Sequence, residues 1–344
     1  MGRVVLVTGV ARYLGAGLVR VLGEEPDVDR LIGVDVTLPR DDLGGAEFVR
    51  ADSRNPIVAK VIAAAHVDTV VHASVVATPL GVGGRSSMKE INVIGTMQLL
   101  AACQKAPTVQ RLVVKSTTAV YGCSPHDPAV YTEDMEPTAT PRSGYGKDAV
   151  EVESYVRGFA RRRPDVDVTV LRFTNFIGPR IQTPFTGYFS MPVIPTVLGF
   201  DARLQFVHEQ DGIDALRMAT VGATDGNRRG TYNVSGDGVL LLSQAARRAG
   251  RPTVAVPRPA VDIVGNLIRQ AGITDFSPDQ LRLLTHGRVV DCTRLRERFG
   301  FTPRYTTVEA FDDFVRAQGR GPVTPERVAG VERQLAAVLR DPDG

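Results

Sequence analysis

The strongest constraint on the fold lies close to the first residue. A β-branched run, Val4-Val5-Leu6-Val7, enters a glycine-punctuated turn, Thr8-Gly9-Val10-Ala11-Arg12-Tyr13-Leu14-Gly15, and a helical pattern over 13–22 follows at once. Glycine turns the backbone tightly and lets a pyrophosphate approach the positive end of the following helix. A glycine motif alone is weak evidence. Here the next apolar run closes on Asp35, 20 positions beyond Gly15. At that distance a carboxylate accepts from the ribose hydroxyls of an adenine dinucleotide.

Downstream, apolar runs at 31–36, 69–73, 111–116 and 166–172 alternate with helical patterns at 57–65, 87–103 and 144–161. Such alternation means right-handed crossovers and a parallel sheet covered on both faces. The expected fold class is α/β: a Rossmann doubly wound parallel sheet with a smaller interleaved C-terminal substrate lobe. After 173 the rhythm breaks, and 176–204 carries four prolines among scattered aromatics, which predicts a loop-rich lobe. The expected division is a dinucleotide-binding domain over 1–175, with later units near 231–234 and 241–249 interleaved, a substrate lobe mainly over 176–316, and a polar extension over 317–344 with a last helix at 325–339.

Composition excludes other classes. Net charge is only +3 and no basic block is long, so no nucleic-acid partner is implied. No run approaches the roughly 18 apolar residues of a membrane span. Cys103, Cys123 and Cys292 are odd in number and lack metal-ligand spacing. A reduced, cytoplasmic setting without a metal site is therefore expected.

Further segments carry a resemblance: Asp52 and Ser53 in Arg-Ala-Asp-Ser-Arg, Val71-His72-Ala73-Ser74, Asn92-Val-Ile-Gly95-Thr96, Leu171-Arg172-Phe173-Thr174-Asn175-Phe-Ile-Gly178-Pro179-Arg180, Phe206-Val207-His208 and Gly230-Thr231-Tyr232-Asn233-Val234. Over about residues 3–314 the chain resembles the extended short-chain dehydrogenase/reductases of the NAD-dependent epimerase/dehydratase family. The resemblance implies cofactor contacts at Gly9, Arg12, Tyr13, Leu14, Gly15, Asp35, Asp52, Ser53, Ala73, Ser74, Asn92 and Phe173. Asp35 favours NAD over NADP, because a carboxylate there repels a 2′-phosphate. Arg12 stands where the family's middle glycine belongs. A guanidinium at that point pairs with a phosphate, braces the pyrophosphate or crowds its approach.

Members of this family move a hydride while a tyrosine phenol exchanges a proton. A phenol ordinarily titrates near 10, and the family lowers this with a lysine four residues on, one helical turn away. Here the resemblance places the orienting hydroxyl at Thr117 and the phenol at Tyr145, but position 149 is alanine. Lys147 lies about 200° around the helix and points away, while Asp148 would raise the phenol's pKa. Tyr145 as a packing residue is the competing reading. Asn175 and Arg180 are the candidate substrate contacts. His208 is expected to be a core histidine, and Arg203 falls one position from where sugar-nucleotide epimerases carry a diphosphate arginine. In a strand, that offset turns the side chain to the other face. Tyr188, Phe189 and Met191 line a pocket or, preferably, form lobe core.

Three functions stay open. The first is an NAD-dependent oxidoreductase or epimerase acting on a sugar nucleotide or another hydroxyl-bearing metabolite. The second is a catalytically impaired dinucleotide-binding protein with a redox-sensing or regulatory role. The third is a carbonyl or hydroxysteroid-type reductase with a non-standard proton relay. A homodimer formed through the helices over 87–103 and 144–161 is expected.

Overall fold

The computed structural model describes residues 2–52, 57–76, 84–141, 144–222, 228–261, 263–265 and 278–321. Ser53 and the helix expected over 325–339 lie outside the described residues. In β1 (Arg3–Thr8), Val5 and Val7 join one apolar cluster and Leu6 the other, so the strand is buried on both faces. That burial is why the run is continuously apolar instead of alternating. The chain continues through α1 (Tyr13–Leu22), β2 (Val28–Asp35), β3 (Glu47–Arg50), α2 (Ile57–Ala64) and β4 (Thr69–His72). A long helical segment follows, α3 (Arg85–Lys89) and α4 (Gly95–Lys105) joined by a π-turn over Glu90–Ile94, so the helix expected over 87–103 is longer and locally widened. β5 (Arg111–Thr117), α5 (Gly144–Arg162) and β6 (Asp167–Phe173) complete the regular part.

Residues 176–204 are more ordered than their prolines suggested. They contribute to β7 (Asn175–Ile177) and form α6 (Pro184–Ser190), β8 (Ile194–Val197) and β9 (Arg203–Leu204). Pro184 opens α6 behind the Thr183 cap, a position where a missing N–H costs nothing. β10 (Phe206–His208), α7 (Glu209–Val221), β11 (Gly230–Val234), β12 (Leu240–Leu241), α8 (Leu242–Ala249) and β13 (Thr253–Val256) follow.

The main sheet is parallel throughout, in the order β11-β6-β5-β4-β1-β2-β3. β11 returns to the main sheet beside β6 after the chain has visited the lobe. On one face α1 and α7 pack through Leu18, Val19, Leu216 and Ala219. On the other, α2, α4 and α5 pack through Ile62, Leu99, Val156 and Phe159. Each fully buried side chain of this size contributes about 1.5–3 kcal/mol. The lobe has its own aromatic core, with Phe189 edge-on to Phe311 at 4.9 Å, Phe311 coming from the helix Thr307–Gln318. Tyr188, Phe189 and Met191 belong to that core. Strand order reverses between β1 and β4, where open parallel sheets bind ligands outside the carboxyl ends of their strands. Among the described residues no helix is long and apolar enough to cross a membrane.

Candidate functional site

The glycine turn is built so that no side chain fits. Gly9 has φ +81°, and a Cβ there would lie 2.7 Å from Ser74 Cα. A Cβ on Gly15 would lie 2.2 Å from the Gly9 carbonyl oxygen. Both positions therefore require glycine, and together they leave a backbone cradle at the start of α1. Asp35 closes β2 against this turn. Its Oδ2 accepts from the Ala11 N–H at 2.9 Å and its Oδ1 from the Val36 N–H at 2.7 Å. A carboxylate has about four acceptor sites, so capacity remains for ribose hydroxyls. Cradle and carboxylate fit a dinucleotide. Arg12, in extended backbone just before α1, interacts electrostatically with both Asp35 and Tyr145, and burial lowers its pKa against their pull.

Two more of the expected positions are tied into the scaffold. Ala73 and Ser74 follow β4 directly, where the Ala73 N–H donates to Thr8 Oγ1 at 3.2 Å. Asn92, fully buried in the π-turn, clamps the chain after β4 by accepting from the Val76 N–H at 2.7 Å and donating to the Val76 carbonyl at 2.9 Å. Asp52 is half-buried beyond β3. Phe173 is fully buried at the end of β6. Leu14 is buried in α1, whereas the Tyr13 hydroxyl donates to Glu209 Oε1 at 2.8 Å and so couples α1 to α7.

A cavity of about 1050 Å³ opens beside the cradle. Thr117 at the end of β5 and Tyr145 in the first turn of α5 both line it, and the Thr117 side chain acts on the Tyr145 phenol. Burial pushes that phenol up to about 12, although Thr117, Arg12 and Arg288 pull the other way and Asp148 adds to the rise. Ala149 is buried at 1% exposure. Asn175 lines the cavity too. Arg180 is not brought to it: it is exposed, and its side chain lies against the Tyr13 phenol.

Sequence reasoning missed most of the charge around Tyr145. Lys115, Arg258, Arg282 and Arg288 line the cavity alongside Arg12, and among its described lining residues there is no carboxylate. Lys115 had a readable signal. It sits two residues before Thr117 on a strand, and alternate residues share a face. Its ammonium donates to the Val75 carbonyl at 3.2 Å, and burial together with Arg12 brings its pKa down to about 8. A second missed group braces the site from below. Glu153 of α5 takes Arg172 of β6 at 2.7 Å and the Ser116 hydroxyl at 2.6 Å, fixing the Tyr145 helix against the Thr117 strand.

The two other sequence landmarks resolve simply. His208 is buried, accepts from the Gln210 N–H at 3.2 Å, pairs with Asp313 and stacks on Tyr305 at 3.8 Å. Arg203 is exposed while its neighbour Leu204 is fully buried, so the one-residue offset does turn the arginine outward.

An uncharacterized protein of Mycobacterium tuberculosis strain H37Rv is 48% identical to this chain over 343 residues, which is 98% of this chain and 90% of the relative. In fold, the chain is similar to the UDP-glucose 4-epimerase of Thermotoga maritima solved with UDP-glucose, with TM-score 0.69 and 20% identity over 91% of this chain and 97% of the other. It is similar also to the UDP-glucose 4-epimerase of Stenotrophomonas maltophila solved with NAD and a formylated UDP-arabinopyranose, with TM-score 0.70 and 21% identity over 92% and 98%. The model of the NAD dependent epimerase/dehydratase family matches residues 5–235. With cradle, carboxylate and sheet order already in place, that match settles the assignment: the chain belongs to the NAD-dependent epimerase/dehydratase family.

Proposed function

We propose that this protein is an NAD-dependent oxidoreductase or epimerase acting on an anionic, hydroxyl-bearing metabolite of the sugar-nucleotide kind. The observation that carries the reading is the placing of Thr117 and Tyr145 together in a cavity lined by five cations and no described carboxylate. Such a lining attracts a diphosphate and repels nothing acidic, which favours a sugar nucleotide over an apolar steroid. In this reading the Gly9–Gly15 cradle and the first turn of α1 hold the pyrophosphate, and Asp35 takes the ribose hydroxyls and selects NAD over NADP. Bound NAD supplies the hydride acceptor. Thr117 orients the substrate oxygen, Tyr145 removes or returns its proton, and Asn175 contacts the substrate.

The second reading is a dinucleotide-binding sensor without efficient chemistry. Ala149 and the high-titrating phenol favour it. We read the protein in either case as a cytoplasmic homodimer. Calorimetric titration with NAD, NADH, NADP and NADPH, followed by incubation of the NAD complex with UDP- and dTDP-sugars, tests both. NAD binding with sugar conversion is the expected result. NAD binding without conversion selects the sensor, and no binding at millimolar concentration ends both readings.

A further inference from the structure

We propose that Arg12, standing where the glycine turn would ordinarily carry no side chain, supplies across the cavity the positive charge that Ala149 leaves out of the Tyr145 helix. Two departures from the family pattern then compensate each other. The inference rests on Tyr145 being the proton-transfer group.

Among the described residues, the groups that act on the phenol can be named. From α5 comes Asp148, already bound by Arg85 at 2.6 Å. From β5 come the Thr117 hydroxyl, which pulls the phenol's pKa down, and Lys115. From the segment after the helix Pro278–His286 comes Arg288, and from the glycine turn Arg12. Arg288 donates to the Gly122 carbonyl at 2.9 Å and touches Cys123 Sγ at 3.4 Å, and its pull on the phenol is weaker than that of Arg12. Lys115 is anchored on Val75, and burial and its proximity to Arg12 bring its pKa to about 8, so it has lost its charge over the higher pH range in which the phenol titrates. Arg12 makes no side-chain hydrogen bond among the described residues, it lines the cavity with Asp35 as its other charged neighbour, and a guanidinium stays charged throughout the working pH range. Its field acts on Tyr145 and Lys115 at once. Arg12 is thus a positioning residue for the phenolate and makes no proton transfer itself.

The test is the titration of the Tyr145 phenol in the full chain, read as phenolate absorbance within milliseconds of a pH jump, before unfolding. Tyr145→Phe provides the subtraction that isolates this phenol, and each protein is read with and without saturating NAD. Arg12→Gln is expected to raise the midpoint by about one pH unit, roughly a tenfold loss of phenolate at fixed pH, and Arg12→Lys to restore most of it. An unmoved midpoint in a folded Arg12→Gln protein overturns the assignment. An equal or larger rise in Lys115→Met overturns it in favour of Lys115. An effect that vanishes once NAD is bound leaves Arg12 as a pyrophosphate contact only. The cofactor-free arm needs neither NAD nor substrate. Failure of NAD to bind therefore ends the functional reading above without deciding this one.

Discussion

Arg85 donates to both carboxylate oxygens of Asp148 at 2.6 Å and to the Gly144 carbonyl at 2.9 Å, so the acid three places after Tyr145 is neutralised where it is fully buried. Asn92 adds a weaker bond at 3.2 Å. Removing one partner of a buried pair leaves an uncompensated charge, which typically costs 3–5 kcal/mol. Arg85 is itself partly exposed, so Arg85→Met is expected at the lower end, about 3 kcal/mol, read from urea unfolding. Adding Asp148→Asn should recover most of the loss, because the asparagine needs no counter-charge. A double variant as unstable as the single one would show that Arg85 acts through packing.

The cradle predicts a sharp steric effect. Gly9→Ala places a methyl 2.7 Å from Ser74 Cα at a positive φ, a conformation costing about 1–3 kcal/mol for a residue with a Cβ. The β1–α1 turn must shift to relieve it. NAD affinity is expected to fall by more than tenfold by calorimetry, with Gly44→Ala as control, since nothing lies within 4 Å of a Cβ there. Unchanged NAD affinity in Gly9→Ala would remove the turn from the cofactor site.

Legibility divided along physical lines. Gly9, Gly15 and Asp35 could be read because their constraint is local: turn, strand end and helix start are adjacent in the chain, and spacing encodes them. Most of the main sheet followed because strands buried on both faces are continuously apolar, whereas the edge strand β3, with no fully buried residue, gave no such run. β8, β9, β12 and β13 were missed because strands of two to four residues in the lobe have no usable period. The Arg85–Asp148 and Arg172–Glu153 pairs join residues 63 and 19 positions apart, and no local pattern announces such a partner. Lys115 could have been seen from its two-residue offset to Thr117. Arg12 was visible only as a misfit in a motif, since one of its two electrostatic partners, Tyr145, lies on α5.

His72 makes stability pH-dependent. It is buried between Thr8 Oγ1 at 3.1 Å and Thr96 Oγ1 at 2.7 Å, and burial, with a smaller push from Lys115, lowers its pKa to about 4. The unfolded chain then takes up a proton near 6.5 while the folded one does not. Stability from the neutral ring is therefore complete above pH 6.5 and is lost as pH falls towards 4, by roughly 3 kcal/mol. Unfolding free energies across that window should fall less in His72→Gln than in the wild-type protein. Parallel curves would assign the acid sensitivity to other groups.

The expected homodimer has a concrete surface. Ile94, Met97 and Tyr155 are exposed on the helical segment that contains α4 and on α5, large apolar side chains on the two helices through which pairing is expected. Tyr155→Glu combined with Met97→Glu should convert the protein to a monomer by light scattering while its melting temperature stays within a few degrees. A wild-type protein already monomeric at micromolar concentration would remove this pairing.

Ala149→Lys asks whether charge alone separates this site from its family. The position is 1% exposed among buried residues, so overpacking should cost about 1–3 kcal/mol. Placed one turn after Tyr145, the new ammonium should lower the phenol's titration midpoint. If Arg12 already provides most of that field, the variant gains little phenolate in the wild-type background and about tenfold more in the Arg12→Gln background. The four proteins of this cycle, read by the same phenolate absorbance, yield a coupling between positions 12 and 149. Equal gains in both backgrounds would mean that the two cations act independently and that Arg12 does not stand in for the absent lysine.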